Sequence, residues 1–75
     1  MITEIDFHKM DLEEAERLAS KTLDEVRLNN KPGSYKFITG RNGSIQRMLM
    51  KFLTEAECEV QVAMGNPGVL LVEIE

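Results

Sequence analysis

The sequence is short of the residues that staple or anchor small proteins. One cysteine, Cys58, and one histidine, His8, occur in its 75 residues. A single cysteine excludes an internal disulfide, and one cysteine with one histidine cannot supply the four ligands of a closed structural zinc site. A catalytic thiol would need an activating base, and the sole histidine is distant in sequence, so Cys58 reads as a small, semi-buried strand residue. Long apolar runs are missing too. The longest is Val69 to Val72, far below the roughly 18 residues that suggest a membrane span, and Met1 to Met10 lacks the basic-then-apolar order of a secretory signal. A cytoplasmic protein without a membrane partner is the expectation. Positive charge is also scarce: nine Lys/Arg against thirteen Asp/Glu leave a net charge of −4, which counts against strong non-specific nucleic-acid binding.

The remaining composition suits a soluble globular chain, with 43% hydrophobic and 29% charged residues. Residues 1–75 make one domain without repeats or linkers, and a domain of this size buries only about 60% of the surface its unfolded chain exposes. The charges are segregated. Acidic residues crowd one stretch (Asp11, Glu13, Glu14, Glu16, Asp24, Glu25) and the C-terminal part (Glu55, Glu57, Glu59, Glu73, Glu75), while Lys36, Arg41, Arg47 and Lys51 surround a glycine-containing string. A local positive rim on an acidic protein follows.

Ile5 and Phe7 alternate with Glu4, Asp6 and His8, the period of a half-buried strand. Asp11 then predicts a helix cap with Glu14 at the capping-box position, and Leu12, Ala15, Leu18, Ala19, Thr22, Leu23 and Val26 recur at helical spacing until Asn29 to Gly33. Tyr35 to Thr39 reads as a second strand. Ile45, Met48, Leu49, Phe52, Leu53 and Ala56 mark the core stripe of a second helix. Val60, Val62 and Met64 alternate with polar or small residues, and Val69 to Ile74 follows Gly65-Asn66-Pro67-Gly68, which predicts a closing hairpin. The order is β-α-β-α-β-β. Right-handed crossovers running the same way put both helices on one face, giving a two-layer α/β sandwich with a mixed four-stranded sheet whose other face is open.

Two strings carry the candidate chemistry. Ile5-Asp6-Phe7-His8 sets two ionisable groups on one face of a strand, their Cα atoms about 7 Å apart. Thr39-Gly40-Arg41-Asn42-Gly43-Ser44 is a strand-to-helix loop whose N–H groups and helix dipole form a natural anion site. It lacks the Lys-Ser/Thr ending of a P-loop. If the two strands are parallel, both strings lie at the carboxyl edge of the sheet, where open α/β sheets bind ligands. His8 could then serve as general base or acid on a phosphodiester, with Asp6 orienting it or holding a divalent metal such as Mg²⁺ or Mn²⁺. Phosphate would rest on residues 42 to 45, with Lys9, Arg41, Arg47 and Lys51 supplying charge. The plainer alternatives also stand: Asp6 and His8 as hydrogen-bonding partners of the loop after the strand, and Gly40 to Ser44 as an ordinary turn capped by Asn42 or Ser44.

The order of elements and these strings resemble the small MutS-related (Smr) domain, whose fold is similar to the C-terminal domain of bacterial translation initiation factor three. Family members carry L-D-x-H on the first strand and T-G-x-G or H-G-x-G before the second helix. Here they appear as Ile5-Asp6-Phe7-His8 and Thr39-Gly40-Arg41-Asn42, and Val72-Glu73-Ile74 looks like the family's closing V-V-E-L. Lys9 stands where the family commonly has glycine after the histidine, Asn42 replaces a loop glycine, and the Gly65 to Gly68 turn is shorter than the family's connection. The resemblance implies nucleic-acid binding, DNA or RNA, and, for some members, endonuclease activity with the Asp and His of the first string as functional residues. The rival expectation is a non-catalytic module that binds a protein through its open sheet face or its acidic helix.

Overall fold

The computed structural model describes residues 2–41 and 43–75. Its elements are β1 (Thr3–Asp6), α1 (Leu12–Leu28), β2 (Gly33–Ile38), α2 (Gly43–Glu55), β3 (Glu59–Ala63) and β4 (Asn66–Ile74). Asp11 caps α1 as its sequence predicts, its carboxylate accepting the Glu14 N–H at 2.8 Å. The helix stops at the Asn29 cap, and Asn30 takes the left-handed conformation that asparagine tolerates, at φ 51°.

The sheet order is β1-β2-β4-β3. β1 and β2 run parallel, while β4 runs antiparallel to both β2 and β3. The last strand thus inserts between β2 and β3, so β3 runs in the same direction as β1 and β2. Cross-strand partners share a face: Ile5 with Phe37, Phe37 with Leu70, Tyr35 with Val72, and Val72 with Val60. That face meets Ala15, Ala19, Leu23 and Val26 of α1 and Ile45, Leu49 and Leu53 of α2 in a single core cluster, which places both helices on one side. Phe7 and Phe37 pack in it with ring centroids 5.0 Å apart. The opposite face carries Glu4, Asp6, Ser34, Lys36, Leu71, Glu73, Glu59 and Gln61 and is not covered by either helix.

Three element boundaries differ from the sequence expectation, and each has a local cause. β1 ends at Asp6 because Met10 N–H bonds the Phe7 carbonyl at 3.1 Å, which makes His8 and Lys9 the corners of a turn; Phe7 still donates to the Ile38 carbonyl at 2.7 Å. β2 begins at Gly33 and gives up Thr39, whose N–H goes to the Gly68 carbonyl at 2.8 Å. β4 begins at Asn66, so the hairpin turn is only Met64-Gly65, with Gly65 at φ 78° and Met64 fully exposed. Between Val62 and Ala63 the β3–β4 register slips from Leu70 to Asn66. The unmatched residues 67–69 form a bulge that leans toward the end of β2.

Candidate nucleic-acid interface

Because β1 and β2 are parallel, the Asp6–His8 string and the Thr39–Ser44 string both leave the sheet at its carboxyl edge. They touch there. A Cβ built on Gly40 would lie 3.0 Å from the His8 Cβ, so the His8 side chain rests directly over a glycine whose φ of +62° already disfavours any other residue. The β3–β4 bulge closes the arrangement from the other side. Gly68 accepts from the N–H groups of Thr39 and Gly40 at 2.8 and 3.1 Å, and a Cβ on it would come within 2.9 Å of the Gly40 carbonyl oxygen. Gln46 of α2 pins the same bulge by donating to the Pro67 carbonyl at 2.8 Å.

Asp6 and His8 form a pair. The Asp6 Oδ1 accepts the His8 backbone N–H at 2.9 Å and faces the His8 Nδ1 at 2.5 Å. Both side chains remain open to solvent, at 54% and 43% exposure, so the pair is available to a ligand and not part of the core. The His8 backbone N–H, followed by its imidazole, holds the Asp6 carboxyl below its ordinary value of 3.8. With Nδ1 engaged by Asp6, the His8 Nε2 is the ring atom left to take or give a proton. Lys9 fits the second corner of its turn without a positive φ, since among the described residues only Asn30 and Glu57 are non-glycine residues in that region. A lysine is therefore accommodated at this corner.

The other predicted site residues divide. Arg41 is exposed beside Gly40, and the Arg47 guanidinium folds back over the first turn of α2, its Nη1 3.8 Å from where a Gly43 Cβ would lie. No acidic residue occupies that first turn, in contrast to Glu13 and Glu14 in α1. Thr39 is completely buried and its hydroxyl lies 3.3 Å from the carbonyls of Gly40 and Gly68, so it braces the loop and does not reach outward. Ser44 lies inside α2, exposed, which corrects its reading as a cap, and Asn42 lies outside the described residues. Lys51 is not brought to the loop, being eight residues along α2 from Gly43, or about 12 Å at 1.5 Å per residue. Lys36 also stands away from it, at mid-strand opposite Glu4 and Leu71.

For a divalent metal the donor set is thin. Asp6 has only Glu4 as a carboxylate neighbour on its strand face, its Oδ1 is engaged by His8, and no group of three or more His, Cys, Asp or Glu among the described residues could hold an ion. Cys58 lies just before β3 and not in a strand, and it is buried, its thiol pushed up by desolvation against the opposing pull of Arg27, the reverse of the lowered thiol that a nucleophilic site requires. Gly68, Pro67 and Gln46 are the contributors that sequence reading missed. A signal existed in Gly65-Asn66-Pro67-Gly68, which has more turn residues than a two-residue hairpin consumes.

No family model matches the chain, and no curated protein matches it at a significant level. Among solved structures it is similar to the solution structure of the SMR domain of NEDD4-binding protein 2, with a TM-score of 0.64 and 21% sequence identity, over 100% of this chain and 88% of that one. The four-stranded mixed sheet, the two helices on one face and the whole-length superposition agree: this chain has the fold of a small Smr domain.

Proposed function

We propose that this chain is a nucleic-acid-binding Smr-like domain that takes a phosphodiester at the carboxyl edge of its sheet. The observation that carries the reading is the seating of the Asp6–His8 pair on Gly40, next to Arg41 and the first turn of α2. Arg41, Arg47 and Lys9 supply the charge that draws a phosphate to this edge, and the exposed pair stands beside them. Asp6 fixes the ring by accepting at Nδ1, and His8 Nε2 moves the proton of an attacking or leaving oxygen. With two ionisable groups and no third donor in the set, the cleavage supported is slow endonucleolytic scission, and the cation rim is too small for tight binding.

The test is a titration of labelled single-stranded RNA and of single- and double-stranded DNA at several salt concentrations. Three cations, Lys9, Arg41 and Arg47, imply a slope of log affinity against log salt of about −2 to −3, at 0.7 to 0.9 per phosphate contact. Arg41→Ala should lower both affinity and slope by about one contact. Absence of binding at low salt would overturn the reading.

A further inference from the structure

The helix-free face of the sheet carries a feature that the phosphate edge does not use. At the end of the sheet opposite that edge, a groove of about 470 Å³ runs across the strands, lined by Ile2, Ser34, Leu71, Gln61, Glu59 and Glu73 among others. Its floor is apolar: Ile2 is 52% exposed, and Leu71 lies on the uncovered face between Lys36 and Gln61. Its rim is acidic. Glu59 and Glu73 are direct cross-strand partners, a placement in which like charges disfavour each other, and Glu73 Oε1 also accepts the Ser34 hydroxyl at 2.5 Å. Among the described strand residues this face has the carboxylates Glu4, Asp6, Glu59 and Glu73 against the single cation Lys36.

We infer that this groove binds an extended peptide segment of a partner protein, in which an aliphatic side chain sits on Ile2 and Leu71 and a neighbouring Lys or Arg pairs with Glu59 and Glu73. Charge selects the occupant. A nucleic acid would bring phosphates against the carboxylates, and a second copy in the same orientation would set Glu59 and Glu73 against themselves. A basic residue instead relieves the Glu59–Glu73 repulsion on arrival. The dimensions agree: three strand spacings of about 4.8 Å give a trough about 14 Å across, the reach of about four extended residues. The proposal is independent of the phosphate edge, since it uses none of those residues.

The probe is a fluorescein-labelled, acetylated five-residue peptide alternating arginine and leucine, titrated at low salt and followed by anisotropy. The wild-type protein should bind it, Glu59→Gln/Glu73→Gln should weaken binding about three- to tenfold, and Leu71→Ser about tenfold, with Arg41→Ala unchanged. The Glu59→Gln/Glu73→Gln variant should also melt no lower than the parent, because it removes a repulsion; that variant decides the matter should Leu71→Ser fold poorly. A peptide with serine in place of leucine that binds equally well would reduce the interaction to non-specific charge and overturn the proposal. So would no binding at all, weakened RNA binding in Leu71→Ser, or a dimer in sedimentation equilibrium that Leu71→Ser dissolves.

Discussion

Replacing Gly40 by alanine tests whether the two functional strings are mechanically joined. At φ +62° a Cβ costs about 1–2 kcal/mol in backbone strain alone. It would also sit 3.0 Å from the His8 Cβ, tighter than side chains normally tolerate, and overpacking of that kind adds about 1–3 kcal/mol. Gly65 supplies the control. Its φ is +78°, but a Cβ there meets nothing within 4 Å, so Gly65→Ala incurs the strain without the contact. Urea unfolding should therefore place Gly40→Ala about 1–3 kcal/mol below Gly65→Ala, with equal m-values. A domain of this length is expected to have only about 4–11 kcal/mol in total at 0.05–0.15 per residue, so the gap is measurable. Adding His8→Gly removes the opposing Cβ, and the double-mutant cycle should return most of the difference as a coupling between the two positions. Equal destabilisation by the two alanines, or a cycle that closes at zero, would show that His8 does not rest on Gly40.

Three further outcomes are expected. Leu49 is completely buried between α2 and the sheet, so Leu49→Ala should cost about 2–5 kcal/mol in the same urea assay, and a mutant as stable as the parent would contradict the packing of α2. Asp6→Ala/His8→Ala should lower the melting temperature only slightly, since both side chains are exposed and the loss is confined to the Asp6–His8 hydrogen bonds, while removing any cleavage of supercoiled plasmid or single-stranded RNA assayed with and without Mg²⁺ or Mn²⁺. Retention of the full rate would place the active groups elsewhere. Finally, the Asp6 carboxyl, followed by NMR, should titrate below 3.8; the stabilisation its hydrogen bonds provide is present above that value and lost as pH falls through the lower folded one. Since the His8 backbone N–H is the first cause of the shift and the imidazole the second, His8→Ala should recover only part of it.

The local signals in the sequence carried far because local physics governs most of this chain. Asp11 with Glu14, and the Ile45-Leu49-Leu53 stripe, mark helices through interactions three or four residues apart, and the structure places them accordingly. The parallel pairing of β1 and β2 followed from topology, and with it the meeting of the two strings at one edge. What sequence could not give was contact between distant segments. The insertion of β4 beside β2 is a long-range pairing, and the Gly68 carbonyl under Thr39 and Gly40 and the anchoring of Pro67 by Gln46 follow from a β3–β4 register slip whose sequence signal is only the surplus of turn residues in Gly65 to Gly68. Charge clustering misled for a related reason. Lys36 and Lys51 neighbour the loop in sequence, but strand and helix rise carry them away from it.

The most direct measurement of the central claim is amide chemical-shift mapping during titration with a short single-stranded RNA and, separately, a DNA duplex. Binding at the carboxyl edge predicts perturbations concentrated at Asp6 to Lys9, Thr39 to Arg41, the first turn of α2 with Arg47, and the Met64 to Gly68 turn. Ser34, Glu59, Leu71 and Glu73 should stay unmoved. Perturbations centred on those four residues, or on the outer face of α1 with the edge silent, would contradict the account.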